Sequence, residues 1–109
     1  MIRGEIWTQS GGAGYTGKPR PAVIVQSDML SDTGSVITCG LTTHRSPTLR
    51  SRPSVEPDAR NGLKDRSEVM IDKVSSISRD KLDSRIGSLS DDDMIRVDQA
   101  LLLVLGLER

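Results

Sequence analysis

Apolar residues in this chain come in short bursts, and only the last burst is long enough to build a helix. Pro21 to Gln26 (PAVIVQ) is a β-branched run of strand length, fit for burial on both faces. Ser35 to Thr43 (SVITCGLTT) alternates: Ile37, Cys39 and Leu41 fall on one face, and Thr38, Gly40, Thr42 and His44 on the other. Ser67 to Val74 (SEVMIDKV) alternates again, with Val69 and Ile71 inward and Met70 and Asp72 outward. Ile2, Glu5, Ile6 and Trp7 suit a short first strand. Ser54 to Glu56 suits another, inside a polar stretch punctuated by Pro47, Pro53, Pro57 and Gly62. Ser78 to Leu82 reads as a single helical turn capped by Ser78. Ser90 followed by three aspartates is a helix start, because the serine caps free amides and the carboxylates face the positive end of the dipole. That helix is expected to reach Leu105 and stop at Gly106. Strands first and a helix last argues against a parallel α/β sheet. The order predicts a small, strongly bent antiparallel sheet or partly open barrel.

The chain has 109 residues, enough for one domain spanning 1–109. Phe is absent, and Trp7 and Tyr15 are the only aromatics, so the core must come from Val, Ile, Leu and Met. The longest apolar run, Ala100 to Leu105, is far short of the ~20 residues that span a bilayer. No basic-then-apolar leader opens the sequence, so the expected location is the cytoplasm, with no membrane partner. Cys39 is the lone cysteine, which excludes an internal disulfide and fits a small core residue. Along the helix, Met94, Val97, Leu101 and Val104 or Leu105 make one stripe, but LLLVL is apolar all round. Either a subunit partner covers the second face or the helix end is sunk into its own core.

Fifteen basic residues balance fifteen acids, unevenly. Thr42 to Ser54 carries Arg45, Arg50 and Arg52 with no acid at all, which suits an anion-binding surface or a solvated basic loop. Residues 12–17 (GAGYTG) match the dinucleotide pattern G-x-G-x-x-G, and 12–18 match the front of a P-loop. Both motifs work by opening a helix. Here the glycines run into Pro19-Arg20-Pro21 and a strand, so they read as a loop between strands.

Four blocks together carry a resemblance: RGEIW at 3–7, GKPRPAVIVQSD at 17–28, CGLTTHR at 39–45 and SEVMIDKVSSISRDKL at 67–82. In this order, with IRVDQALLLVLGL as the closing helix, the chain resembles the MazF/PemK toxins over nearly its whole length. The resemblance implies an SH3-like barrel with a C-terminal helix, usually a homodimer, checked by a cognate antitoxin. It also implies a metal-independent endoribonuclease, without cofactor, that cuts single-stranded mRNA to leave 2′,3′-cyclic phosphate and 5′-hydroxyl ends. The family's catalytic arginine falls on Arg20 and its threonine on Thr42, with Thr43 the alternative if the register slips by one. A forked, permanent guanidinium suits the charge that builds on the phosphate oxygens, and a threonine hydroxyl can donate to the same group. His44, the only histidine, is a candidate acid or base. Asp72 is another, although the arginine that accompanies it in Kid-like members is replaced by Met70. The acid that many members carry just before the arginine–proline pair is missing as well. Lys18, Arg45, Arg50 and Arg52 are candidate phosphate contacts, and Tyr15 is a candidate for base stacking. Two rivals keep the same fold: a CcdB-like toxin that binds gyrase without catalysis, and an inactive RNA-binding barrel.

Overall fold

The computed structural model describes residues 1–10, 18–46 and 51–108. The glycine motifs at 12–17, Tyr15 and Arg50 lie outside them. Among the described residues there are seven strands: β1 (Glu5–Gln9), β2 (Arg20–Ile24), β3 (Ser35–Thr42), β4 (Ser54–Val55), β5 (Ser67–Val69), β6 (Ser75–Ser78) and β7 (Leu82–Ser88). One helix, α1 (Asp91–Val104), follows them. The strands form a curled antiparallel sheet in the order β4-β5-β3-β2-β1-β7, with β6 also paired to β3. β3 holds the two parts together. Its first half pairs with β6 and its last two residues pair with β5. The bent antiparallel architecture is as the order of elements predicted.

β2 is buried on both faces, as its composition predicted. Val23 belongs to the main core with Ile6, Cys39, Leu41, Val69 and Ile71, which α1 covers with Val97 and Ala100. Ile24 faces the other way, into a small cluster with Val36 and Leu82 that Trp7 and Ile77 flank. This second cluster corrects one expectation. Ile37 shares a face with Cys39 and Leu41 but is 37% exposed. In the first half of β3 the packed side is that of Val36, and Thr38 is buried there by donating to Gln9 Oε1 at 3.1 Å.

Ser67 to Val74 is not one strand. β5 stops at Val69, a 3-10 turn spans Ile71–Lys73, and β6 begins at Ser75. The alternation still holds, since Val69 and Ile71 are fully buried. The expected turn before Leu82 is present at Arg79–Lys81, but the Ser78 side chain makes no cap bond. The start of α1 is as read: Ser90 Oγ accepts the Asp93 N–H at 3.1 Å. At the other end Gly106 takes φ +71°, and the Gly106 and Leu107 N–H groups close onto Leu103 and Leu102 carbonyls. The helix end is not sunk into its own core: Leu102, Leu103, Leu105 and Leu107 are exposed. No described helix is long and apolar enough to cross a membrane.

Candidate active site

β2 opens at Arg20 and β3 closes at Thr42. The pairs Ala22–Gly40 and Val23–Cys39 fix their register, and two residues further on that register sets Arg20 opposite Thr42. On the outer sides Gln9 pairs with Arg20, and Glu68 pairs with Thr42. Gln9 and Arg20 are thus neighbours across one strand pair, and Thr42 and Glu68 across another. The backbone of Arg20 and of Thr42 is thus held by strand pairing rather than by a loop.

Thr42 is half-buried, and its Oγ1 accepts the His44 N–H at 3.2 Å. A hydroxyl used as acceptor in this way keeps its proton to donate. Thr43 follows in a bend just past the end of β3. There it lines an open cavity of about 540 Å3 together with Lys18 and Arg20. The structure thus brings Lys18, Arg20 and Thr43 together around one cavity, while Thr42, the last residue of β3, is not part of its lining. His44 and Arg45 follow in the exposed turn.

Glu68 is buried at 8% exposure. Its carboxylate accepts the Ser46 N–H at 3.4 Å and lies 3.8 Å from the Arg66 guanidinium. Arg66 in turn donates to Ser54 Oγ at 2.7 Å. The Glu68–Arg66 pair so ties together Ser46 and Ser54, both within the basic segment Thr42 to Ser54 expected to meet RNA.

Arg52 and Asp72 do not join this site. Arg52 grips Asp72 through two bonds of 2.8 and 3.1 Å, and its side chain is only 6% exposed. An arginine spent on a carboxylate and shielded from solvent is not a ready phosphate contact. The Arg52 bond holds the Asp72 carboxyl below the usual carboxylate range, which makes it a poor base. Arg52 instead borders a different cavity, of about 390 Å3, against Arg96, Ala100 and Leu103 of α1. Cys39 is fully buried, and burial, with Asp72 nearby, pushes its thiol up to about 12. It is a core residue, as expected.

The profile of the PemK-like, MazF-like toxins of type II toxin–antitoxin systems matches residues 2–105. The chain belongs to this family. A relative from Mycolicibacterium smegmatis, described as a probable endoribonuclease MazF, is 42% identical over 107 residues and is covered over 98% of each chain. Among solved structures, an endoribonuclease in complex with its cognate antitoxin from a Mycobacterial species superposes with a TM-score of 0.83. That match has 24% identity and covers 100% of this chain and 98% of the other. Mycobacterium tuberculosis toxin MazF-mt6 gives a TM-score of 0.80 at 22% identity, covering 96% of this chain and 99% of that one. The curled half-barrel with one closing helix is therefore the fold of the MazF structures. Within this MazF-family chain, sequence reading missed Gln9 and Glu68, because only strand register sets them beside Arg20 and Thr42.

Proposed function

We propose that this MazF-family chain is the toxin of a type II toxin–antitoxin pair and an endoribonuclease acting on single-stranded mRNA. The observation that carries the reading is the β2–β3 register, which continued two residues past Ala22–Gly40 leads to Arg20 and Thr42, with the Thr42 hydroxyl accepting the His44 N–H and so keeping its own proton. Arg20 neutralises the non-bridging oxygens of the scissile phosphate as negative charge develops there, and Thr42 donates a second hydrogen bond. The 2′-hydroxyl loses its proton and its oxygen bonds to phosphorus. The bond from phosphorus to the 5′-oxygen breaks, and that oxygen takes up a proton. The products are a 2′,3′-cyclic phosphate and a 5′-hydroxyl end, with no metal required. His44, exposed two residues beyond Thr42, is the imidazole of this turn and the candidate acid or base. Lys18 and Arg45 add cationic surface on either side of the pair.

The 42% identical relative described as an endoribonuclease supports this reading over a gyrase-binding one. A cognate antitoxin covers the site in the inhibited state. A second copy of the chain covers the exposed leucines at the end of α1, and the toxin works in the cytoplasm.

The test incubates purified protein in EDTA with a long unstructured RNA, beside Arg20→Ala. Wild type should give discrete fragments with 5′-hydroxyl ends, and loss of the guanidinium should slow cutting by about 10²- to 10³-fold. Intact RNA from folded, antitoxin-free protein would overturn the reading and direct the work to a supercoiling assay. Equal cutting by both proteins would remove Arg20 from the mechanism.

A further inference from the structure

The cavity beside Arg20 has a second wall that the catalytic pair does not account for. That wall is the turn Gly62-Leu63-Lys64-Asp65, completed by Ile86 of β7. Its volume, about 540 Å3, lies within the usual range of small-molecule sites. The chemistry of its lining is mixed in an ordered way. Lys18 and Lys64 bring two cations next to Arg20, and among the described residues neither lysine enters an ion pair. Leu63, Ile86 and Pro21 supply apolar surface, and Asp65 supplies a carboxylate. Cations for phosphate, an apolar wall for a sugar or base, and an acceptor for base N–H groups together match one nucleotide of a single strand.

The turn is also built to be rigid. Asn61 is 1% exposed, and its amide closes the turn from within. Asn61 Nδ2 donates to the Glu56 carbonyl at 2.9 Å, while Oδ1 accepts the Asp58 and Leu63 N–H groups at 3.1 and 3.0 Å. Asp58 Oδ1 accepts the Arg60 and Asn61 N–H groups at 2.9 and 2.7 Å. Gly62, at φ +68°, presses so close to β7 that a Cβ there would stand 2.1 Å from the Ile86 carbonyl oxygen. A polar side chain buried to hold backbone is the kind of support that fixes a binding surface before its ligand arrives.

We propose that this cavity is a nucleotide subsite flanking the scissile phosphate. Lys64 holds the neighbouring phosphate, Leu63 and Ile86 cover the sugar and base, Asp65 accepts from the base edge, and Asn61 is the positioning residue. The inference rests on the ribonuclease reading above and adds to it the residues that choose where the strand is cut.

The test compares wild type, Lys64→Ala, Ile86→Ser, Asp65→Asn and, as a matched loss of charge elsewhere, Lys73→Ala. Each is assayed on one unstructured RNA at several salt concentrations, with fragment ends mapped. Lys64→Ala should raise KM about fivefold to tenfold with kcat nearly unchanged. It should also lower the slope of log KM against log salt by about 0.7, the value for one phosphate contact on a single strand. Ile86→Ser and Asp65→Asn should alter the nucleotide preference at a single position beside the cut, and Lys73→Ala should do none of this. If wild type cuts but Lys64→Ala keeps its KM and salt slope, and the other two keep the wild-type preference, the subsite is overturned while the ribonuclease reading stands. Loss of antitoxin inhibition in Lys64→Ala with unchanged RNA kinetics would equally overturn it, marking the cavity as a protein-binding site. If wild type leaves RNA intact, the ribonuclease reading falls and the subsite falls with it.

Discussion

Asn61→Ala is the most informative single perturbation of this fold, because it removes three hydrogen bonds from one buried point. The bonds lost are those to the Glu56 carbonyl and from the Asp58 and Leu63 N–H groups. A net intramolecular hydrogen bond contributes about 1 kcal/mol, and a buried group left unpaired costs about 1–3 kcal/mol. Asp58 and Glu56 are exposed, so water can replace the amide at those two positions. Leu63 is half-buried and packs on the main core, so its N–H bears the larger penalty. The expected loss is therefore about 2 kcal/mol rather than the sum of three full penalties. At about 4 °C per kcal/mol for a domain of this size, Tm should fall by about 8 °C.

Trp7 provides the assay. It is the only tryptophan, and it packs against Ile24, Val36 and Leu82, away from the turn. Its fluorescence should follow global unfolding in urea, not local rearrangement around residue 61. The Asn61→Asp variant sharpens the test. It keeps the acceptor for Asp58 and Leu63 but, ionised, cannot donate to the Glu56 carbonyl. Its carboxyl is favoured neutral in the folded state, so its deficit against wild type should shrink as pH falls. A loss below about 0.5 kcal/mol in Asn61→Ala, within the range of ordinary surface substitutions, would refute the assignment of Asn61 as the support of the turn.

Three further outcomes follow from the packing. Asp72 has a depressed folded pKa because of Arg52, so the pair's contribution is present above the unfolded pKa and is lost as pH falls through the lower folded value. Urea midpoints of wild type should therefore drop more than those of Asp72→Asn in the acid range below the usual aspartate value, while Asp72→Asn should still cut RNA. Cys39, buried and with its thiol pushed up to about 12, should resist iodoacetamide in the native protein and react once urea unfolds it. Fast native labelling, followed by mass, would show that the core opens around β3. Ser90→Ala removes the cap on the Asp93 N–H and should cost about 1 kcal/mol in urea titrations, with Ser90→Asp close to wild type.

Much of the fold was legible because apolar pattern and burial agree. PAVIVQ reads as a strand covered on both sides, and Val23 and Ile24 do face separate clusters. Ser90 and Gly106 mark helix ends by chemistry that acts locally, so tertiary structure had no reason to override them. β6 and β7 were not legible. SSIS and LDSRIGS offer few apolar residues, and they are strands because β3 and β1 present unpaired backbone to them. Pairing of that kind depends on partners distant in sequence, and composition carries no trace of it.

The site divides along the same line. Arg20 and Thr42 were singled out through the blocks that surround them, and the structure puts them at the start of β2 and the end of β3, two residues beyond the Ala22–Gly40 pair. Arg52 was expected to meet RNA because charge in a polar stretch reads as solvated, and Asp72 was a candidate acid or base through the resemblance. Folding brings the two within 2.8 Å of each other as an ion pair, a partnership that charge along the chain does not reveal. Asn61 shows the opposite error. A polar residue between Asp58 and Gly62 reads as ordinary loop, yet Asp-x-x-Asn-Gly is the pattern of a turn closed by its own side chains, with glycine where φ must be positive. Polar residues whose work is to hold backbone are buried without being apolar, so hydropathy cannot separate them from solvated ones. Spacing relative to glycine can, and applied to residues 58–62 it would have marked this turn as fixed rather than free.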